Sequence, residues 1–407
     1  MRCHRGAVSN DGQYCRAPVT AVEFIDLKAQ QAAIGQELDR RIAAVLSHGK
    51  FIMGPEVGEL ERALAAYVGV THCITVASGT EALLISLMAL GIRPGDEIIT
   101  TPFTFVATAE VIVLLGGVPV FVDVNPLTAN IDAAQIENKI TSRTKAIMPV
   151  GLYGQVADMQ NINAIAARHR RIPVIEDAAQ SFGATLGGKR SCGLSTIGCT
   201  SFFPSKPLGC YGDGGALFTN DDAIAQAARE IRVHGQSERY VHTRIGVGGR
   251  MDTLQCAVVL AKLTRFDWEV TRRVEIGDGY TDLIHQTLPD ARPLAMNEVG
   301  RPLSGVRTFS LGKGCSSVYA QYTVMVPERA RVQAALQKAG IPTAVHYPVP
   351  INKQPAYRHC CRGDDTPVAD WLAQHVISLP MGPDLAPHEQ ARVTNALLEA
   401  LRPVLSA

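Results

Sequence analysis

The sequence has no apolar run that is long enough to cross a membrane. Its longest apolar stretch, residues 111–122, is interrupted by two glycines and a proline, whereas a membrane-spanning helix needs about 18 consecutive apolar residues. The first twenty residues are charged in places and have no apolar segment of the kind that marks a secretory signal peptide. We therefore expect a cytoplasmic protein with no membrane partner, and a disordered N-terminal extension over residues 1–22.

The chain also lacks an excess of either charge, and its cysteines form no recognisable framework. The formal net charge is +1, so no global field attracts nucleic acid. The ten cysteines are scattered without a CxxC pair, which in a long chain is typical of reduced thiols in the cytosol. His359-Cys360-Cys361 has no second pair of ligands at a suitable spacing, so we expect no metal site.

What the sequence does have is an alternation of helical and strand-like segments from about residue 56 onwards. Strand-like segments occupy residues 73–76, 97–100, 118–122, 145–150 and 173–176, and helical segments occupy residues 56–67, 81–90 and 108–115. Short buried strands separated by helices predict a largely parallel sheet with helices on both faces.

A long helical segment predicts a division into two domains. Residues 253–284 have a mixed polar and apolar pattern without a strand, as expected for a bridge between domains. We predict a large domain over residues 23–265 and a smaller α+β domain over residues 266–407. Residues 297–317 are rich in Gly, Ser and Arg and lack periodicity, which predicts a surface insertion. The elements predicted for the smaller domain are a strand at 319–326 and helices at 331–339 and 387–401.

One lysine stands among aromatic residues, prolines and glycines. Residues 200–209 read Thr-Ser-Phe-Phe-Pro-Ser-Lys-Pro-Leu-Gly, with Lys206 near the centre. Burial in such a segment lowers the pKa of an amine and makes it a nucleophile for carbonyl carbon. Most lysines lie at the surface, so this segment alone leaves open whether Lys206 is functional or lies in an ordinary polar turn.

Two motifs that precede Lys206 favour a functional interpretation. Ser78-Gly79-Thr80 follows a strand and opens a helix, where free amides and the helix dipole bind anions, although an ordinary helix cap is an alternative. Asp177 follows the strand at 173–176, at the sheet edge where ligands bind in α/β proteins; it could also cap the next helix. A phosphate-binding turn, a strand-end aspartate and a pocket lysine are what pyridoxal phosphate chemistry requires.

A series of motifs extends this interpretation from about residue 24 to the C terminus. They occupy residues 54–56 (Gly-Pro-Glu), 78–83 (Ser-Gly-Thr-Glu-Ala-Leu), 94–97 (Pro-Gly-Asp-Glu), 152–154 (Leu-Tyr-Gly), 176–180 (Glu-Asp-Ala-Ala-Gln), 201–206 (Ser-Phe-Phe-Pro-Ser-Lys) and 250–252 (Arg-Met-Asp). In these motifs the chain resembles the sugar aminotransferases of the DegT/DnrJ/EryC1/StrS family. The resemblance implies an α/β fold of the fold-type I pyridoxal phosphate-dependent transferases, with a mostly parallel seven-stranded sheet flanked by helices and a smaller C-terminal α+β domain.

The resemblance implies roles for three residues at the reacting end of the cofactor. Lys206 matches the lysine that forms the Schiff base with pyridoxal 5'-phosphate and moves protons between cofactor and substrate. Asp177 matches the partner of the pyridine nitrogen, and Gln180 matches the group that faces the ring hydroxyl. Because some relatives carry histidine at the lysine position and perform dehydration, Lys206 favours transamination.

The resemblance also implies how the rest of the cofactor is held. Gly79, Thr80 and Ser201 match the phosphate anchors, and Phe105 matches the aromatic residue that stacks on the ring. One position departs from the family pattern, because Gly248 stands where the family usually has an asparagine that reaches the cofactor phosphate of the neighbouring subunit.

Further motifs resemble family members that use L-glutamate to aminate UDP-2-acetamido-2-deoxy-3-oxo-glucuronate. They lie at residues 24–28, 180–184, 207–212, 344–348 and 352–355. The resemblance implies a homodimer with shared active sites, in which Arg250, His346 and Tyr347 contact the nucleotide sugar and Arg250 does so from the neighbouring subunit. His346-Tyr347-Pro348 taken alone also fits a buried turn. Two alternatives are an aminotransferase for a 4-keto-6-deoxy nucleotide sugar and a catalytically silent, cofactor-binding regulatory protein.

Overall fold

The computed structural model describes residues 22–288 and 290–405. The helices are α1 (Leu27–His48), α2 (Pro55–Val68), α3 (Gly79–Ala89), α4 (Ala107–Leu114), α5 (Ala133–Ile136), α6 (Met159–Arg168), α7 (Asp222–Arg232), α8 (Thr253–Thr287), α9 (Arg329–Lys338), α10 (Pro367–His375) and α11 (Pro387–Leu405). Short 3₁₀ turns lie at Glu137–Lys139, Leu152–Gly154, Met296–Glu298 and Ile351–Lys353.

Fifteen strands accompany these helices in the part of the chain that the structure describes. They are β1 (His72–Val76), β2 (Glu97–Thr100), β3 (Val118–Phe121), β4 (Thr144–Ile147), β5 (Ile175–Asp177), β6 (Thr185–Leu186), β7 (Lys189–Arg190), β8 (Ile197–Ser201), β9 (Gly215–Thr219), β10 (Gln236–Glu238), β11 (Val241–His242), β12 (Arg292–Pro293), β13 (Arg307–Thr308), β14 (Tyr322–Met325) and β15 (Val376–Leu379).

Seven of the strands form the central sheet, in the order β3-β2-β4-β5-β8-β9-β1. The β3-β2-β4 and β5-β8-β9-β1 ladders are joined by parallel bridges from Ile147 to Val174 and from Val150 to Asp177. Strand β9 runs antiparallel to β8 and β1, and the other pairings are parallel. This confirms the predicted mostly parallel, seven-stranded sheet.

Both faces of the central sheet are covered by helices, as its sequence pattern predicts. Adjacent residues of β2 point to opposite faces: Ile98 packs with α3, α4 and α7, and Ile99 packs with α5 and α6. Both side chains are fully buried. Strands buried on two faces are apolar throughout rather than alternating, which is why the short runs of the sequence identify them.

Helix α8 connects the central sheet to the smaller domain. Its first half, including Val259 and Phe266, packs in the core of α1 and α2. Its second half, including Tyr280 and Ile284, packs in a separate core against β14, β15, α9 and α11. The predicted boundary between residues 265 and 266 therefore lies within one continuous helix.

The chain ahead of α1 belongs to the second core. Most of the predicted extension, residues 1–22, lies outside the described residues, but Val22 is buried with the smaller domain. The main-chain carbonyl of Phe24 also accepts a hydrogen bond from the Met381 N–H (3.0 Å). The smaller domain thus includes described residues that precede α1 as well as residues from the second half of α8 onwards.

The structure corrects the interpretation of residues 297–317 as a surface insertion. Residues Arg307 and Thr308 are buried and form β13, an inner strand of the four-stranded sheet β12-β13-β14-β15. Farther along, Ser310 N–H donates to the Leu127 carbonyl of the large domain (2.7 Å). A strand of two residues is too short to produce a periodic pattern, so the sequence did not indicate it.

Within residues 22–288 and 290–405, no helix is long and apolar enough to cross a membrane. Those residues also contain no group of three or more His, Cys, Asp or Glu side chains that could hold a metal ion.

Candidate active site

A narrow cradle forms where β1 leads into α3. Ser78 caps the helix, and its Oγ accepts a hydrogen bond from the Glu81 N–H (3.1 Å). A Cβ added at Gly79 would lie 2.6 Å from the Cβ of Ser201, at the end of β8. Any larger residue at this position would therefore have to push the two segments apart. The arrangement places the Ser201 hydroxyl beside the free amides of a helix N-terminus, which is a favourable environment for an anion.

Thr80 completes the first turn of α3 and is half-buried. A second close approach keeps the cradle narrow, since a Cβ on Gly215 of β9 would lie 2.7 Å from the Gly79 nitrogen. The predicted anchors Gly79 and Ser201 are thus brought together, and Thr80 lies next to them.

Asp177 lies at the carboxyl end of β5 and is buried. Its Oδ2 accepts a hydrogen bond from the Thr108 hydroxyl (2.8 Å), and its Oδ1 accepts one from the Ala179 N–H (3.2 Å). Burial raises the pKa of this carboxyl, while the two donors and the charge of Lys206 act in the opposite direction. A cation placed against this buried carboxylate would favour its ionised form.

Lys206 lies in the turn between β8 and β9. Its backbone N–H donates to the Phe203 carbonyl (2.9 Å). Burial lowers the pKa of its amine, and the opposing attraction comes from Asp177. Burial therefore increases the fraction of neutral amine, which is the nucleophilic form. Strand β8 connects this turn with the other candidates, because Asp177 pairs with Cys199 two residues before Ser201.

Gln180 connects the large domain with the segment that carries His346 and Tyr347. Its Nε2 donates to the Tyr347 hydroxyl (3.1 Å), and its Oε1 accepts from the Tyr153 N–H (2.9 Å). His346 Nδ1 lies 2.9 Å from the Ser378 hydroxyl. Burial, with a contribution from the charge of Lys206, lowers the pKa of His346 to about 4, so its imidazole is neutral at neutral pH.

Phe105 and Arg250 lie toward the outside of this group. The Phe105 ring is 53% exposed, and its centroid is 6.3 Å from that of Tyr347. Arg250 follows Gly249, whose carbonyl accepts from the Ala77 N–H behind the cradle (2.9 Å). The Arg250 guanidinium has no hydrogen bond or ion pair with the described residues, and the structure does not bring it against Lys206 or Asp177.

Two residues that contact the candidates had no role assigned from the sequence. Thr108 donates to Asp177, and Tyr153 bonds Gln180 through its backbone. Thr108 lies in the first turn of α4, and Phe105 precedes that helix, so no helical spacing links the two residues in the sequence. No local pattern indicates the partner of Tyr153.

Comparisons with known proteins point to one family. A profile of the DegT/DnrJ/EryC1/StrS aminotransferase family matches residues 32–398. A Pseudomonas aeruginosa protein named UDP-2-acetamido-2-deoxy-3-oxo-D-glucuronate aminotransferase is 54% identical over 364 residues, which are 89% of this chain and 96% of that protein. A Geobacillus stearothermophilus protein named pleiotropic regulatory protein is 41% identical over 382 residues, which are 94% of this chain and 99% of that protein.

Solved structures give the same result. The crystal structure of NtdA from Bacillus subtilis with bound cofactor PMP matches with a TM-score of 0.83 at 30% sequence identity, covering 95% of this chain and 86% of that one. The match of the family profile to most of the sequence and the high identity to a relative over nearly its whole length lead to one conclusion: this chain belongs to the DegT/DnrJ/EryC1/StrS aminotransferase family.

Proposed function

We propose that the protein is a pyridoxal phosphate-dependent aminotransferase that moves an amino group from L-glutamate to the 3-keto carbon of a UDP-2-acetamido-2-deoxy-hexuronate. The observation that carries the proposal is the half-buried Lys206, whose amine has a lowered pKa, within the field of the buried Asp177 carboxylate. The name of the Pseudomonas aeruginosa relative supports the choice of sugar. The product would serve the biosynthesis of a cell-surface polysaccharide such as O-antigen.

The residues of the site fit pyridoxal 5'-phosphate. The cradle of Gly79 and Ser201, which a single Cβ would fill, suits a phosphate group. Asp177 offers a buried carboxylate for a protonated ring nitrogen. Gln180 uses one amide hydrogen on Tyr347 and keeps a second for the ring hydroxyl. The exposed face of Phe105 is available for stacking.

Three side chains of the protein have separate roles in the proposed reaction. When bound, the cofactor supplies an electron-accepting ring. Asp177 holds a proton at the ring nitrogen, because a buried carboxylate gains stability from an adjacent cation. Lys206 holds and releases protons at Nζ, which its lowered pKa favours at neutral pH. His346 remains neutral, and it can therefore hydrogen-bond a sugar without adding charge to the site.

Arg250 is the candidate for the carboxylates of the substrates. Hexuronate and glutamate both carry one, and the planar guanidinium group of arginine binds carboxylates through paired hydrogen bonds. We propose that it acts across a homodimer. Exposed apolar side chains support such an interface, namely Phe51, Ile52 and Met53 between α1 and α2, and Tyr240 and Ile245 around β11.

We also propose that the enzyme works in the cytoplasm. The cysteines in the described part of the chain are free thiols: Cys73, Cys192, Cys199, Cys210, Cys256, Cys315, Cys360 and Cys361. Free thiols persist in reducing compartments.

The test is turnover of purified protein with pyridoxal phosphate, L-glutamate and the 3-keto sugar, followed by detection of the amino sugar. We expect turnover, and we expect Lys206→Ala to abolish it; normal activity in that variant would refute the assignment. A parallel assay with a 4-keto-6-deoxy nucleotide sugar separates the two substrate classes, and strict preference for the 4-keto sugar would reject the proposed one.

A catalytically silent regulator is the second candidate, because one relative of this chain bears a regulatory name. The intact Lys206, Asp177 and cradle argue against it. The first half-reaction distinguishes the two functions, since a silent regulator would retain the cofactor but show no change in its absorbance on addition of glutamate.

A further inference from the structure

Tyr153 adopts a backbone conformation that tyrosine rarely takes. Its φ is 58°, in the left-handed region that glycine occupies easily and other residues avoid. The side chain is nevertheless large and buried, and its ring lies 5.4 Å from that of Phe309. Such conformations persist where the surrounding structure holds them, and they are common at functional sites.

Two hydrogen bonds link Tyr153 to both sides of the candidate site. Its backbone N–H donates to Gln180 Oε1 (2.9 Å), and its hydroxyl donates to the carbonyl oxygen of His346. Gln180 Nε2 in turn donates to the hydroxyl of Tyr347 (3.1 Å). Because His346 and Tyr347 are adjacent in the chain, these contacts close a ring of four residues.

This ring fixes the orientation of the Gln180 amide. A backbone N–H only donates, so the amide oxygen must face Tyr153 and the amide nitrogen must face Tyr347. The Tyr347 hydroxyl accepts this bond, which leaves its own hydrogen available to a ligand. A flipped amide would place its nitrogen against the Tyr153 N–H and leave both donors without an acceptor.

The Tyr153 hydroxyl also holds a segment that the smaller domain carries. Ala344 of this segment pairs with Ser378 at the end of β15, and the His346 ring is hydrogen-bonded to the same serine. On the large-domain side, the bond from Tyr153 to the His346 carbonyl holds the main chain between the two site residues. Tyr153 thus sets the distance between these side chains and the sheet edge that carries Asp177.

We propose that Tyr153 is a positioning residue for the sugar substrate, acting through His346 and Tyr347. The inference rests on the proposed function, in which those two residues contact the nucleotide sugar. Glutamate is much smaller than the nucleotide sugar and reaches less of this segment. Loss of the Tyr153 hydroxyl should therefore affect the two half-reactions unequally.

The test compares Tyr153→Phe with Tyr280→Phe. Tyr280 is a buried tyrosine whose hydroxyl also donates to a main-chain carbonyl, that of Pro380 (2.9 Å), but it lies in the core of the smaller domain. Each half-reaction is followed separately by cofactor absorbance, with glutamate or with the amino-sugar product as the donor. Cofactor affinity is measured by titrating the cofactor-free proteins.

For Tyr153→Phe we expect about a tenfold loss of kcat/KM in the sugar half-reaction, corresponding to about 1.4 kcal/mol, and a change of no more than about twofold in the glutamate half-reaction. The dissociation constant for pyridoxal phosphate should also stay within about twofold, since the backbone bond to Gln180 survives. Tyr280→Phe should leave both half-reactions unchanged. Equal slowing of both half-reactions in Tyr153→Phe, or no slowing of either, would overturn the inference.

A second variant covers failure of Tyr153→Phe to fold. Tyr347→Phe removes the other hydroxyl of the ring, and it should slow the sugar half-reaction more than the glutamate half-reaction; equal effects would overturn the inference. If the wild-type protein does not process the UDP-sugar at all, the proposed function fails. If it does and the variants behave like wild type, the role of Tyr153 alone fails.

Discussion

The cofactor side and the sugar side of the candidate site are held in different ways. The proposed cofactor side includes Gly79, Ser201, Asp177 and Lys206, and the proposed sugar side consists of Arg250, His346 and Tyr347. Asp177 is 5% exposed, and its two hydrogen bonds come from the large domain. On the sugar side, by contrast, the Arg250 guanidinium has no hydrogen bond or ion pair with the described residues.

The difference suggests that the type of reaction and the choice of substrate depend on different parts of the site. Ser201 and Asp177 lie at strand ends and Gly79 at the start of a helix, positions that a packed sheet holds rigidly. Lys206 lies in the turn between β8 and β9. The sugar side lies on connecting segments that bring two domains together, and the proposed dimer would add a third contribution. Segments of this kind change without disturbing the core, so relatives can share the chemistry of the cofactor side while the sugar differs.

The largest expected effect comes from a substitution on the cofactor side, at Asp177. Asp177→Asn keeps the size of the side chain and removes the charge that we propose holds a proton at the ring nitrogen. We expect kcat to fall about 10²- to 10⁴-fold, as measured by turnover with saturating substrates. Thr108→Val removes only one donor to Asp177 and should cause a smaller loss. An Asp177→Asn variant with near-normal kcat would contradict the role of this carboxylate.

A substitution of Arg250 should instead weaken binding of the sugar substrate. Loss of a charge-assisted hydrogen bond costs about 1.5–3 kcal/mol, so Arg250→Ala should raise the KM for the hexuronate about tenfold or more. The affinity for pyridoxal phosphate should not change if the two sides are separate. Arg93→Ala, at an exposed arginine of the large domain, is the control. Equal weakening of cofactor and sugar by Arg250→Ala would argue that the two sides form one unit.

The pH dependence of stability should report on His346. Its pKa is lowered to about 4 in the folded protein, so between pH 6.5 and 4 the unfolded chain binds a proton that the folded chain does not. Stability from this group is therefore complete above pH 6.5 and is lost as the pH falls toward 4, by about 2 kcal/mol between pH 7.5 and 5. Urea unfolding of the cofactor-free protein measures this.

The matching variant is His346→Gln, which lacks the titrating ring. It should lose less stability than the wild type over the same pH interval. Identical pH dependence in the two proteins would show that the imidazole is not held neutral by its surroundings.

The smallest expected effect concerns the phosphate cradle. A Cβ at Gly79 would lie 2.6 Å from that of Ser201, so Gly79→Ala must push the two segments apart. We expect the dissociation constant for pyridoxal phosphate to rise about tenfold, corresponding to about 1.4 kcal/mol. Gly35→Ala in α1, where the added Cβ meets nothing within 4 Å, should leave the affinity unchanged. If both variants bind the cofactor normally, the cradle does not hold the phosphate.

The sequence predicts the cofactor side of the site better than the contacts between the two domains. The buried strands of the central sheet leave short apolar runs, and the chemistry of Lys206 and Asp177 leaves motifs at their ends. Strands β8 and β9 were not predicted although Ser201 lies on one of them, because the residues around Lys206 have the composition of a turn. Contacts across long sequence distances, such as that from Tyr153 to His346, leave no local pattern at all.

The most direct test of the account locates the covalent attachment of the cofactor. The protein is loaded with pyridoxal phosphate, reduced with borohydride, digested and analysed by mass spectrometry. Lys262 is the informative competitor, because it is buried, burial lowers its pKa to about 8, and its Nζ has no hydrogen-bond partner among the described residues. We expect the reduced adduct on Lys206, and an adduct on Lys262 with Lys206 unmodified would contradict the role of Lys206 as the attachment site.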